Sequence, residues 1–170
     1  MILNITRQPQ RRDQGDLEFR VAAMRGADAC CNPEGVGFGL VVVDDDRSFA
    51  DVARGLLERQ GERVLGVACS SAEAVKQVAE LRPDIVLVDM ALGDECGLEL
   101  AQLLAPHECR DAPLVILISA YSPCDVAELV AASPAAGFLP KSDLSADAIR
   151  QIVASSGRVF ASGHLAGKNR

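Results

Sequence analysis

Three apolar runs constrain this chain more than any other feature: Leu40-Val41-Val42-Val43, Ile85-Val86-Leu87-Val88 and Leu114-Val115-Ile116-Leu117-Ile118. Each is short, continuous rather than alternating, and rich in β-branched residues, as expected of a strand buried on both faces. Each also ends in a polar group: Asp44-Asp45-Asp46, Asp89 and Ser119. Strands simply tend to end in polar residues, so one such ending would mean little. Three of them, in runs that read as neighbouring strands, raise the question of a shared rim.

The segments between the runs carry a different period. Phe49, Val52, Ala53, Leu56 and Leu57 recur at helical spacing, and Gly61 stands where a C-terminal cap is expected. Arg63 to Ala68 reads as a second strand. Ser70 and Glu73 form a capping pair ahead of Ala74, Val75, Val78, Ala79 and Leu81, and Pro83 ends that helix. Leu98 to Leu104 is a third helix, stopped by Pro106, and Asp125 to Ala132 a fourth. Gly137-Phe138-Leu139 is a brief fifth strand, followed by Pro140-Lys141. Ser145 caps a last helix, to Ala154, with Ala148, Ile149, Ile152 and Val153 inward. Strands alternating with helices through short links predict an α/β fold with a parallel sheet and right-handed crossovers.

The 170 residues, 49% apolar and 24% charged, suit one domain with some excess chain. Residues 1–36 hold no sustained period and read as a largely disordered arm, with one short helical stretch at Leu17 to Arg25. Residues 37–154 form the folded part, and 155–170 read as a flexible tail. No run of 18 apolar residues exists, so no membrane insertion is expected, and no export signal is visible.

Six cysteines, with no C-x-x-C pair, are expected as free thiols in a cytoplasmic protein. His107 and His164 have no partner at ligand spacing, so no zinc site is expected. Residues 37–154 carry nine basic against nineteen acidic side chains, net −10, which disfavours direct nucleic-acid binding. The same acidity favours a divalent cation.

In a doubly wound sheet the carboxyl ends of the strands share one rim. Asp44, Asp45, Asp46, Asp89, Ser119 and Lys141 would then converge. Crowded carboxylates raise one another's pKa unless a cation intervenes. Mg2+ suits the set, because it takes a few carboxylates, keeps waters and accepts phosphate oxygens. With a lysine and a hydroxyl nearby, the rim suits a phosphoryl group, and Asp89 is the central carboxylate nucleophile.

At these residues the sequence resembles the receiver domain of two-component response regulators, over roughly residues 38–154. The motifs are Asp44-Asp45 after a valine run, Asp89 after Asp84-Ile85-Val86-Leu87-Val88, the Gly93 to Gly97 loop, Ser119-Ala120, and Lys141 after Gly137-Phe138-Leu139-Pro140. The resemblance implies a flavodoxin-like (βα)5 sandwich whose five-stranded parallel sheet has the order 2-1-3-4-5. It implies that Asp89 accepts a phosphoryl group from a phosphohistidine of a sensor kinase or histidine phosphotransfer protein. Asp45, Asp89 and the Ala91 backbone carbonyl would bind Mg2+ directly, and Asp44 mostly through water. Lys141 and Ser119 would hold the phosphoryl oxygens, and Phe138 would be an aromatic switch. Ala91 and Tyr121 would tune dephosphorylation; neither offers an amide or carboxylate to orient water, so slow to moderate self-dephosphorylation is expected.

Several positions depart from the family's usual pattern. Ser142 follows Lys141 where proline is common, so an all-trans loop is expected. Gly93 stands for a usual proline, and Ser119 for the more frequent threonine. Asp46 reads as a helix N-cap rather than a ligand.

The expectation is a stand-alone receiver, not an enzyme on a separate substrate, that signals by protein contact. The face of helix four, strand five and helix five would carry an unknown downstream partner or a homodimer. A different class is also conceivable. Asp44-Asp45-Asp46-Arg47-Ser48 resembles the first motif of haloacid dehalogenase-type phosphatases, with Asp44 as nucleophile. That family needs a further acidic motif behind an apolar strand, which Asp143 and Asp147 lack, and it leaves Asp89 without a task.

Overall fold

The computed structural model describes residues 37–105, 112–158 and 160. The apolar runs form β1 (Gly39–Val43), β3 (Ile85–Asp89) and β4 (Leu114–Ser119), and the two weaker runs form β2 (Arg63–Ala68) and β5 (Gly137–Pro140). They make one parallel sheet of order β2-β1-β3-β4-β5, the order the resemblance implied. The helices are α1 (Arg47–Arg59), α2 (Ser71–Leu81), α3 (Gly97–Leu104), α4 (Pro123–Ala131) and α5 (Ala146–Ser155).

Strand periodicity divides the core in two. Leu40, Val42, Ile85, Leu87, Ile116 and Ile118 face α1 and α5, meeting Ala53, Leu57, Ile149 and Val153. Val41, Val43, Val86, Val88, Val115 and Leu117 point the other way, onto Ala74 of α2 and Leu100, Ala101 and Leu104 of α3. Because both faces are covered, the strands need apolar residues at every position, which explains their unbroken runs. α4 is lightly held, with Val126 as its one buried residue.

Local chemistry sets the boundaries. Asp46 caps α1, accepting from the backbone N–H of Ser48 (2.9 Å) and Phe49 (3.3 Å). Ser70 and Ser145 cap α2 and α5 by accepting from Glu73 N–H and Ala148 N–H. Glu73 does not close the reciprocal box on Ser70; its carboxylate accepts from Cys69 N–H at 2.9 Å, one residue earlier. Arg82 ends α2 in the left-handed region at φ 47, ahead of Pro83.

Two apolar residues assigned inward by spacing face outward: Val52 is 67% exposed and Leu81 40%. Val52 lies opposite Ala50, Ala53 and Leu57, so its place in the helical pattern is incidental. The expected helix at Leu17 to Arg25, the stop at Pro106, Cys30, Cys31, Cys109 and both histidines lie outside the described residues.

The amino ends of the strands are stapled by polar groups, one half-buried and one buried. Asp84 accepts from Gly39 N–H at 2.8 Å, joining β3 to β1. Glu62, 3% exposed, accepts from Phe38 N–H at 2.6 Å and pairs with Arg150 of α5. Phe38 also meets the ring of Phe160, with centroids 5.3 Å apart. At the β2 edge, Gln77 donates to the Val67 carbonyl at 2.7 Å, covering an acceptor that a foreign strand could otherwise pair with.

Candidate acidic site at the carboxyl rim

The three consecutive aspartates of the β1–α1 turn have separate fates. Asp44 still belongs to the sheet, donating its N–H to the Ala68 carbonyl, and its side chain is fully buried. Asp45 is exposed. Asp46 is spent on the helix cap, as its spacing predicted.

Asp89 ends β3 beside Asp44 and is 5% exposed. One carboxylate oxygen from each of Asp44, Asp45 and Asp89 lies within 4.8 Å of the others. Lys141 crosses from the end of β5 into this cluster. Its Nζ lies 2.7 Å from Asp44 Oδ2 and 2.9 Å from Asp89 Oδ2. Asp44 Oδ1 accepts from Asp46 N–H at 2.9 Å, and Asp89 Oδ1 from Ala91 N–H at 3.3 Å.

The electrostatics follow from this arrangement. Burial pushes the Asp44 carboxyl above its ordinary value, and the negative charge of Asp89 adds to the rise. The Lys141 and Asp46 hydrogen bonds oppose it without cancelling it. Burial acts to lower the Lys141 ammonium, but its bonds to Asp44 and Asp89 outweigh that and leave it raised. Lys141 is therefore a fixed cation. It also sits 4.5 Å above the centre of the Phe49 ring, a cation–π contact that sequence reading missed. The only hint was an aromatic residue in the first turn of α1.

The remaining candidates lie around this centre. Ser119 is buried at the end of β4, where its Oγ accepts from Tyr121 N–H at 3.1 Å. Tyr121 itself is 61% exposed. Phe138 is half-buried on β5, paired in register with Leu117 and packed on the α2–α3 side of the core. Ala91 is exposed just past Asp89. The described residues contain no cis peptide bond, so the Lys141–Ser142 link is trans as expected.

The loop after Asp89 is more ordered than the sequence suggested. Ala91–Leu92 and Glu95–Cys96 pair as a two-stranded antiparallel hairpin. Gly93 turns it with φ +61, a region that favours glycine. A Cβ on Gly93 would stand 3.6 Å from Asp45 Oδ2, so the turn forms a wall beside that carboxylate. Gly97 then starts α3 directly against Asp89; a Cβ there would come 1.9 Å from the Asp89 carbonyl oxygen.

A hard divalent cation fits the donor set. Three carboxylates meet, one of them open to solvent, and the buried Asp44 Oδ2 has no hydrogen bond of good geometry beyond its ion pair with Lys141.

Comparison with known proteins agrees with this geometry. Residues 40–154 match the family model described as the response regulator receiver domain. A sensory transduction protein, LytT of Bacillus cereus, is 34% identical over 83 residues, covering 48% of this chain and 33% of LytT. The chain thus spans about a third of the length of the curated relatives it matches. Among solved structures, the signal receiver domain of a modulated diguanylate cyclase from Desulfovibrio desulfuricans G20 is 31% identical. It superposes with a TM-score of 0.58, over 71% of this chain and 93% of that one. The signal receiver domain of NarL from Mycobacterium tuberculosis is 27% identical with a TM-score of 0.58, over 72% and 98%. Among the described residues no helix is long and apolar enough to cross a membrane.

Proposed function

The chain belongs to the response regulator receiver domain family, and on that premise we propose that it relays two-component signals by accepting a phosphoryl group on Asp89. The observation that carries this reading is the meeting of Asp44, Asp45 and Asp89 within 4.8 Å with Lys141 bridging two of them. The donor is a phosphohistidine on a sensor kinase or histidine phosphotransfer protein. An Asp89 carboxylate oxygen attacks phosphorus, the phosphorus–nitrogen bond breaks, and the histidine nitrogen leaves with the electron pair. The product is an acyl phosphate on Asp89.

Mg2+ held by Asp45, Asp89 and the Ala91 carbonyl, with Asp44 acting through water, would neutralise charge on the phosphoryl oxygens. Lys141 transfers its hydrogen bond from the Asp89 carboxylate to a phosphoryl oxygen, already charged and already in place. Ser119 gives up its acceptor role towards Tyr121 N–H and donates to another oxygen. Phe138 turns inward as Ser119 moves. The exposed Ala91 and Tyr121 offer no carboxylate or amide to orient water, which favours slow to moderate self-dephosphorylation. The signal leaves through a protein contact on the face of α4, β5 and α5, where lightly held α4 makes a two-state shift easy. A downstream protein or a second copy of the chain would dock there.

Burial counts against the phosphatase alternative, since its nucleophile Asp44 is fully enclosed. Intact-mass analysis after incubation with Mg2+ and acetyl phosphate tests the proposal. Wild type gains one acid-labile phosphoryl group, Asp89→Asn gains none, and Asp44→Asn keeps some. Labelling of Asp89→Asn with loss in Asp44→Asn would overturn it.

A further inference from the structure

The hairpin after Asp89 is tied down at a point with no evident part in the acidic cluster. Glu95 Oε2 accepts from Ser71 N–H at 2.6 Å, across 24 residues of sequence. Ser71 is the first residue of α2, so the carboxylate meets a free N–H at the positive end of a helix. The Ser71 side chain and, after it, this N–H bond hold the Glu95 carboxyl below its ordinary value. On the opposite hairpin strand, Leu92 is 2% exposed and sits in the α2–α3 core. The hairpin is thus anchored by one apolar residue below and one carboxylate at its side.

What the anchors hold is the wall of the site. Ala91 pairs with Cys96, and Leu92 with Glu95, so moving Glu95 moves Ala91 and the Gly93 turn with it. The Gly93 turn is the surface beside Asp45 Oδ2. We propose that Glu95 is a positioning residue: by clamping the hairpin to the start of α2, it fixes the Ala91 carbonyl and the Asp45 carboxylate at the spacing a divalent cation requires. This rests on the reading of the acidic cluster as a magnesium site. Glu95 touches neither metal nor phosphoryl group, and acts only through the hairpin.

The test is magnesium titration of the full chain by calorimetry, with Glu95→Ala, Glu95→Gln and Asp94→Asn beside wild type. Glu95→Ala removes the acceptor, and its magnesium affinity is expected to fall about fivefold, the worth of one net hydrogen bond. Glu95→Gln keeps a side-chain oxygen for Ser71 N–H and recovers most of the affinity. Asp94→Asn removes a charge from the same turn without touching the clamp, and stays close to wild type. The Ser71 amide proton, shifted downfield by its bond to Glu95, moves back in Glu95→Ala but not in Asp94→Asn. The metal-free melting temperature of Glu95→Ala falls by a few degrees at most, the loss of one capping hydrogen bond, while Asp94→Asn stays with wild type. Equal affinity for wild type and Glu95→Ala overturns the inference alone. Equal losses in Glu95→Ala, Glu95→Gln and Asp94→Asn also overturn it, by making charge the cause. A wild-type protein that takes up no magnesium overturns both the inference and the magnesium reading beneath it.

Discussion

Lys141 Nζ stands 2.7 Å from Asp44 Oδ2, joining the last strand of the sheet to the first across β3 and β4. One cation therefore compensates a carboxylate that burial alone would not tolerate as an anion. The ion pair is incomplete, since the Asp44 carboxyl remains above its ordinary value.

That shift has a consequence for stability against pH. A raised carboxyl pKa means the folded protein binds the Asp44 proton more tightly than the unfolded chain does. The resulting stabilisation is present at low pH and is lost as pH rises from the ordinary 3.8 through the folded value. Asp44→Asn cannot titrate, so its stability should fall less than wild type as pH rises from 3.8 towards neutrality. Urea unfolding in EDTA across that range measures the difference. Parallel curves would show that Asp44 is not responsible.

Magnesium should stabilise the folded state by binding where the carboxylates meet. A ligand at a hundred times its dissociation constant contributes about 2.7 kcal/mol, a rise of several degrees in melting temperature. Asp45→Asn should abolish most of that rise. Its melting temperature in EDTA should stay near wild type, because Asp45 is exposed and has no structural role in the cap or the sheet. Calorimetric scans with and without Mg2+ separate the two effects.

Phe49 supports Lys141 through its ring face, 4.5 Å from the ammonium. Such contacts contribute about 0.5–2 kcal/mol when partly desolvated. Phe49→Leu keeps apolar bulk but loses the π face, so labelling by acetyl phosphate should slow about three- to tenfold. Phe49→Tyr should label at close to the wild-type rate. A Phe49→Leu protein that labels normally would reduce the ring to plain packing.

Gly97→Ala should damage both fold and site. Its Cβ would arrive 1.9 Å from the Asp89 carbonyl oxygen, a backbone atom with no freedom to retreat. Overpacking of this kind costs about 1–3 kcal/mol, and here the displaced residue is the proposed phosphoacceptor. Urea unfolding should show lower stability, and labelling should fall with it even where the protein remains folded.

The architecture was legible because its determinants are local. Val41 and Val42 face opposite sides of the sheet, so both must be apolar, and the run announces a strand covered on both faces. Asp46 was legible as a cap for the same reason, since its partners Ser48 and Phe49 are two and three residues away. What escaped depends on distant partners. Nothing near Glu95 announces Ser71, and nothing near Glu62 announces Phe38 or Arg150. The hairpin escaped because two-residue strands have no period to read. Val52 misled because helical spacing counts an apolar residue without knowing which side the sheet lies on.

The ring contact between Phe38 and Phe160 lies at the end of the sheet remote from the acidic rim. Where the described fold is entered and where it is left are therefore one side chain apart. A unit with adjoining entry and exit can be spliced into a surface loop of a host protein without prising the host apart. The whole rim would then face outward, and under the proposed function the insert would respond to phosphorylation. The same adjacency means a short peptide bridge could close the ring and let new ends be cut elsewhere, leaving all five strands in place.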